Sequence, residues 1–134
     1  MSTVALTLQK LGADEVDRDA AVELFDQILD VWNGADPSSI RHLITDDYQG
    51  HMLHLASGDR TANTYASWIA DFRRSNPDVR FRVLSQGVAG NQVWSRLVAT
   101  SGDGRTSNGM NTSVLRDGLV SEEWAIWSDW YSTA

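Results

Sequence analysis

The sequence predicts an α+β domain, with helices that cover one face of an antiparallel sheet. In the first half of the chain, apolar residues recur at helical spacing, whereas from Val79 onward apolar and polar residues alternate between turn dipeptides. The last predicted strand carries tryptophan on both faces, so both of its faces are expected to be covered. A length of 134 residues with 42% hydrophobic residues suits one domain with a real core.

The first two helices are delimited by their caps. Apolar residues recur every three or four positions from Asp17, and Asn33-Gly34 ends this helix because both residues tolerate a left-handed cap. Asp36-Pro37 then starts a short helix, since Asp is a natural N-cap and Pro fits the first turn. We expect this second helix to run through about Leu43.

A strand and a third helix follow. The strand is predicted at Tyr48–Leu55 and the helix at about Thr61–Ser75, with a loop between them. Asn76-Pro77 ends the helix, because the residue before proline avoids helical angles.

Four antiparallel strands complete the domain. Turns are predicted at Gly90-Asn91, at residues 101–104 and at Asp117-Gly118. The Asp-Gly dipeptide favours a type I′ turn, so residues 109–131 are interpreted as a β-hairpin. Residues 1–16 are interpreted as an N-terminal extension, and residues 17–134 as the domain.

Composition excludes several classes of function. The formal net charge is −7 and Lys10 is the single lysine, so nucleic-acid binding is not expected. No apolar run approaches the length of a membrane span, and the N-terminus lacks the features of a secretory signal. Without cysteine there is no disulfide framework, and a cytoplasmic location is expected.

The histidine pattern does not favour a metal site. His51 and His54 lie three apart on one predicted strand, so their side chains point to opposite faces. Neither a cysteine cluster nor a helical zinc motif occurs in the sequence. We therefore do not expect a metal site.

Polar residues at alternating strand positions are the candidate site. If the faces of the last three strands coincide, Arg96, Asn111 and Glu123 converge in a pocket walled by Trp94 and Trp127. A buried acid must be paired, neutral or used, and either direction of pKa shift would suit proton transfer. The alternative is that an Arg96–Glu123 ion pair simply closes the sheet.

Three local strings, in this order and spacing, resemble the SnoaL-like polyketide cyclases. These belong to the broader nuclear-transport-factor-2-like fold, together with ketosteroid isomerase and limonene epoxide hydrolase. The strings are VWNGAD at residues 31–36, DDYQGH at residues 46–51 and LRDGLVSEEW at residues 115–124.

The resemblance implies a cone-shaped, curved sheet around three helices, with an internal pocket for a small-molecule substrate and no cofactor. It also implies a homodimer through the outer sheet face, where Trp124, Ile126 and Trp130 are the candidate contacts. Tyr48 and Asp129 are further candidates for the pocket.

The resemblance also suggests roles for single residues. His51 stands where these proteins often have a histidine, and Asn111 stands where ketosteroid isomerase has a buried acid that donates to the enolate oxygen. Arg96 resembles the strand arginine of limonene epoxide hydrolase. The last-strand aspartate of the cyclases falls at Ala125, so Glu123, one pleat period away, is the substitute.

The leading hypothesis is a cofactor-free cyclase, lyase or isomerase that acts on a medium-sized apolar carbonyl compound, such as a polyketide intermediate. His51 or Glu123 would abstract a proton, and Asn111 and Arg96 would stabilise the enolate oxygen. Two alternatives stay open: an epoxide-opening cyclase or hydrolase, and a non-catalytic binding module of the same fold.

Overall fold

The computed structural model describes residues 16–132, which form three helices and seven strands. The N-terminal extension predicted for residues 1–16 lies outside the described residues, except for Val16. In chain order the elements are α1 (Arg18–Trp32), a 3₁₀ helix (Pro37–His42), β1 (Ile44–Met52), β2 (Asp59–Thr61), α2 (Tyr65–Ser75), β3 (Arg80–Ala89), β4 (Gln92–Thr100), β5 (Arg105–Arg116), β6 (Leu119–Trp127) and β7 (Tyr131–Ser132).

The strands form one curved, unclosed sheet in the order β2-β1-β6-β5-β4-β3, and β7 pairs with β5. Strands β3 to β6 make the predicted antiparallel meander. β1 runs parallel to β6, so the sheet is mixed. The helices pack against the concave face and close off a cavity there, which confirms the predicted α+β cone fold.

The predicted N-cap at Asp36 and the predicted hairpin are confirmed, and Asp17 caps the first helix in the same way. Asp17 Oδ1 accepts from the backbone N–H of Asp19 at 3.2 Å, and Asp36 Oδ1 accepts from that of Ser38 at 2.9 Å. The β5–β6 turn has φ values of 54° at Asp117 and 77° at Gly118, as a type I′ turn requires.

β1 starts and ends earlier than the predicted Tyr48–Leu55. The strand begins at Ile44 because Ile44 pairs with Val120 of the parallel neighbour β6. The pairing with β6 is irregular between Ile44 and Gln49, the segment that contains Asp46 and Asp47. The strand ends at Met52, whose backbone N–H turns to the carbonyl of Gly58.

The third helix is shorter than predicted, and the preceding loop contains a strand. Residues 59–61 pair with β1, and the hydroxyl of Thr64 accepts from the backbone N–H of Thr61 at 2.8 Å. The chain therefore turns through residues 61–64, and the helix begins at Tyr65.

The final strand is interrupted between Trp127 and Tyr131. Ser128 Oγ accepts from the backbone N–H of Asn108 at 2.9 Å, so a side chain takes the place of a ladder carbonyl. Strand pairing resumes only at β7, against the start of β5.

The core joins both helices to the concave sheet face. Phe25, Ile28 and Val31 of α1 and Ile69 of α2 are buried, and Val16 packs against this core. Among residues 16–132, no helix combines the length and apolar character needed to cross a membrane.

Candidate functional site

A cavity of about 350 Å³ lies between the helices and the concave face of the sheet. Its walls are mainly aromatic and aliphatic, and its polar groups are few. The apolar side chains include Phe25, Ile28, Leu29, Trp32, Trp68, Phe72, Phe81, Leu97, Trp127 and Trp130; the polar ones are His54, Arg60, Ser107, Asn111, Glu123, Ser128 and Asp129.

Glu123 is the centre of the polar floor. It lies on β6 and is only 5% exposed. Its carboxylate accepts three hydrogen bonds: Oε1 accepts from the Tyr48 hydroxyl and from Arg60 Nη2, the latter at 2.6 Å, and Oε2 accepts from Asn111 Nδ2 at 2.9 Å. A buried carboxylate is thus paired with a cation and surrounded by donors, as its desolvation requires.

Arg60 reaches this floor from the short edge strand β2. Besides the ion pair with Glu123, its Nε donates to the Tyr48 hydroxyl at 2.9 Å. The guanidinium lies 3.8 Å from the ring centre of Tyr65 and 5.6 Å from those of Trp32 and Trp68. Aromatic faces therefore hold the cation in place, and stacking of this kind suits a guanidinium better than an ammonium.

Two donor residues on the floor, Arg60 and Asn111, have N–H groups that make no hydrogen bond within residues 16–132. Arg60 Nη1 makes no hydrogen bond with any of residues 16–132, and Arg60 lines the cavity. Asn111 Nδ2 uses one of its two N–H groups on Glu123, and its Oδ1 accepts from Ser113 Oγ at 2.8 Å. A ligand oxygen at this point would meet a cationic donor and an amide donor.

The network also sets the protonation states. Burial by itself would raise the pKa of Glu123, but Arg60 and the hydrogen bonds from Tyr48 and Asn111 outweigh it, so the pKa lies below its ordinary value. Burial and the nearby Glu123 carboxylate raise the pKa of Tyr48. At neutral pH the floor therefore holds an ionised Glu123 beside a neutral phenol.

Gly50 gives the network the room that it needs. A Cβ at this position of β1 would touch the Tyr48 hydroxyl and lie 3.0 Å from both Cγ and Nε of Arg60. Only glycine lets the backbone approach the Arg60–Tyr48 pair this closely.

The structure brings together four of the predicted pocket residues. Asn111 and Glu123 are hydrogen-bonded, and Trp127 and Asp129 line the same cavity. Tyr48, the fifth predicted residue in the site, lies on the floor and is 1% exposed.

Arg96 and Trp94 are not in the cavity, which corrects the predicted constellation. Asn111 pairs with Ser95, so Ser95 faces inward and its two neighbours on β4 face outward, where both are exposed. A register difference of one residue places a strand's side chains on the opposite face. The epoxide-opening hypothesis thereby loses the arginine on which it was based.

His51 also lies outside the cavity. Its Nδ1 lies 3.1 Å from Asp59 Oδ1 and its Nε2 lies 2.8 Å from Glu122 Oε2, and its ring stacks on Trp124 on the outer sheet face. Trp130 was predicted to lie on the outer sheet face, and the structure places it elsewhere. It lines the cavity instead of the outer face, because strand alternation ends at Trp127.

Sequence reasoning missed Arg60 and His54, which both line the cavity. A buried Glu123 needs a cation as its partner, and this requirement was a usable signal. It does not identify Arg60 among the 11 lysine and arginine residues of the sequence. His51, and not His54, was the predicted site residue. The two histidines do lie on opposite faces, with their positions exchanged.

No cluster of three or more histidine, aspartate or glutamate side chains within residues 16–132 is arranged to hold a metal ion.

Comparisons with solved structures show the same fold. IdmH from Streptomyces antibioticus, a candidate polyketide cyclase, superposes with a TM-score of 0.68 at 20% identity, over 81% of this chain and 91% of that chain. A candidate polyketide cyclase from Bacillus cereus gives 0.71 at 17% identity, over 81% and 74% of the two chains. A candidate ketosteroid isomerase from Kribbella flavida gives 0.67 at 20% identity, over 87% and 83%.

No functionally curated protein matches the sequence. The family model described as the SnoaL-like domain matches residues 25–123, which include most of the cavity-lining residues and all four residues of the polar floor, Tyr48, Arg60, Asn111 and Glu123. The chain therefore belongs to the SnoaL-like family.

Proposed function

We propose that the protein is a cofactor-free lyase or isomerase of the cyclase type, which moves a proton next to the carbonyl group of a medium-sized, largely apolar compound such as a polyketide intermediate. Glu123 is the base, and Arg60 and Asn111 are the donors to the enolate oxygen. Arg60 thus takes the role that the sequence suggested for Arg96.

A single observation carries this proposal: a buried carboxylate lies beside a guanidinium and an amide donor at the floor of a largely apolar cavity. Ligand pockets commonly have volumes of roughly 300–1,000 Å³, are lined by apolar side chains and contain a few polar groups that fix orientation. A volume of about 350 Å³ suits a compound of two or three fused rings or a folded chain of similar size.

The shared donors explain how a carboxylate with a lowered pKa could act as a base. In the resting site, Arg60 and Asn111 stabilise the charge on Glu123. When the α-proton passes to Glu123, the negative charge moves to the enolate oxygen, which lies beside the same two donors. Arg60 therefore remains next to the charge throughout, and little reorganisation is needed.

Proton exchange tests this chemistry without knowledge of the natural substrate. The α-hydrogens of 2-tetralone would be followed by NMR in D2O with the wild type, Glu123→Gln and Asn111→Leu. We expect Glu123→Gln to lower enzyme-catalysed exchange by about 10²-fold or more, as for a general base. His51→Ala is the matched control and should exchange like the wild type. Equal exchange by wild type and Glu123→Gln would refute the assignment.

A binding module of the same fold is the second candidate. The saturation of Glu123 by three donors favours it, because a carboxylate held in this way is a weak base. In the same experiment, saturable binding of the ketone to the wild type without accelerated exchange would identify this function.

We also propose that the protein forms a homodimer through the outer sheet face. Trp94, Met110 and Ile126 are 49%, 62% and 48% exposed there, and Trp124 is next to them in the β5–β6 register. Exposed apolar patches of this kind often mark interfaces. Light scattering should give the mass of a dimer, and Met110→Lys/Ile126→Lys should give a monomer.

A further inference from the structure

His54 occupies an unusual place at the end of the parallel β1–β6 pairing. The backbone N–H of Leu53 donates to the carbonyl of Ala125 at 2.8 Å. At the next position, the backbone N–H of Trp127 donates to a side chain, His54 Nδ1, at 3.3 Å. The imidazole thus replaces a backbone carbonyl at the edge of the cavity.

This bond determines which ring nitrogen carries the proton. A neutral imidazole whose Nδ1 accepts a hydrogen bond has its hydrogen on Nε2. Burial lowers the pKa of His54, although the Asp129 carboxylate opposes this, so the ring is neutral at pH 7. Within residues 16–132, Nε2 makes no hydrogen bond, and the residue lines the cavity.

His54 and the polar floor lie at two separated points of one cavity. Glu123 and Trp127 are four residues apart on β6, which corresponds to about 13 Å along a strand. Apolar side chains, including those of Phe81 and Trp127, line the cavity together with these two points. The cavity therefore presents donors at two places, and the rest of its lining is mainly apolar, with Ser107, Ser128 and Asp129 as the other polar residues.

We propose that His54 is a substrate-binding residue, whose Nε2–H binds a second acceptor oxygen at the far end of an elongated, uncharged substrate. This inference rests on the proposed function, in which the first oxygen, a carbonyl, is held by Arg60 and Asn111. Asp129 lines the cavity with His54 and would repel a carboxylate. The second oxygen therefore belongs to a ketone, ether, ester or hydroxyl group.

Two probe compounds test this. 2-Acetylnaphthalene offers one acceptor oxygen, and 2-acetyl-6-methoxynaphthalene adds a second at the opposite end of the same ring system. Equilibrium dialysis would give the dissociation constants of both compounds for the wild type, His54→Leu and His54→Gln. The glutamine variant keeps an N–H donor near the position of Nε2, whereas the leucine variant keeps only apolar volume.

We expect the wild type to bind the methoxy compound about tenfold more tightly than 2-acetylnaphthalene, the effect of one hydrogen bond. The preference should be lost in His54→Leu and largely retained in His54→Gln. Both variants should bind 2-acetylnaphthalene like the wild type, which also shows that they are folded.

The outcomes separate this inference from the proposed function. If the wild type binds both compounds equally, or if His54→Leu retains the preference, the role of His54 is refuted and the carbonyl site stands. If the wild type binds neither compound, the proposed carbonyl site fails, and the role of His54 fails with it.

Discussion

Arg60 and Glu123 form a buried ion pair that joins the edge strand β2 to β6 through the interior, with Nη2 2.6 Å from Oε1 and side chains that are only 4% and 7% exposed. In the sheet, β1 lies between these two strands, and its Gly50 has no side chain to obstruct the pair. The ion pair therefore depends on a tertiary contact across three strands. Its members also provide the charge and one of the donors of the proposed site.

Removing one partner of this pair should be strongly destabilising. Arg60→Met leaves a buried, unpaired carboxylate, and we expect a loss of about 3–5 kcal/mol in the free energy of unfolding, measured by urea denaturation. The double variant Arg60→Met/Glu123→Leu should recover part of this loss, because it no longer buries a lone charge. Arg74→Met removes an exposed pair with Asp71 and should cost less than about 1 kcal/mol. Equal costs for the two single variants would contradict this account.

The hydroxyl of Tyr48 should matter more than that of Tyr65. In Tyr48→Phe, Glu123 loses a donor and Arg60 Nε loses its acceptor, so we expect a loss of about 1–3 kcal/mol. Tyr65→Phe loses the acceptor for Trp32 Nε1, at 3.2 Å, and the interaction of its hydroxyl with Glu123, but it leaves the bonds of Arg60 to Glu123 and Tyr48 in place and keeps the ring under the guanidinium. Chemical denaturation of both variants would check this, and the reverse order would show that Tyr48 is not central to the network.

A methyl group at Gly50 should disrupt the polar floor without contacting the apolar side chains that line the cavity. Gly50→Ala forces Tyr48 and Arg60 apart, and overpacking of this kind costs about 1–3 kcal/mol. We also expect the variant to lose ketone exchange. Gln49→Ala, at the exposed neighbouring position, is the control and should leave stability and exchange unchanged. A crystal structure of Gly50→Ala with the Arg60–Tyr48 bond intact would contradict the prediction.

His51 should make stability depend on pH. Hydrogen bonds to Glu122 and then to Asp59 raise the pKa of its imidazole in the folded state. A raised folded-state pKa stabilises the protein below the unfolded value of about 6.5, and this contribution is lost as the pH rises through the folded-state pKa.

The test compares thermal unfolding of the wild type and His51→Gln at pH 6 and pH 9. The variant should be less stable than the wild type at pH 6, and the difference should shrink at pH 9. His42→Gln, at an exposed site, is the control for replacing an imidazole with an amide. A difference between wild type and His51→Gln that is constant with pH would mean that the Asp59–His51–Glu122 contacts do not depend on the charge of the ring.

Part of the site could be predicted from the alternation of residues along β6 alone. Glu123 and Trp127 share a face because a strand alternates with period two, and their common cavity follows from that spacing. Arg96 could not be placed in this way, because its face depends on which residue of β4 lies opposite Asn111. The observed partner is Ser95, and a register shifted by one residue would have turned Arg96 inward.

The exchanged positions of His51 and His54 have a similar cause. Their separation of three residues predicts opposite faces on one strand, but β1 ends at Met52, and the turn after it, held to β6 by the bond from Trp127 to His54, places His54 at the cavity. Arg60 could not be predicted as a site residue for another reason. Its strand has three residues, too few for a pattern, and its partner Glu123 is 63 positions away in the sequence.

By itself, the sequence determined the local structure of this protein: the capped helices, the type I′ hairpin and the alternation that puts an acid and a tryptophan on one side of β6. These features arise from interactions between residues close together in the chain. Tertiary structure alone decided which cation meets the acid and which histidine borders the cavity, because both depend on strand register and on a buried charge finding a partner that is distant in sequence.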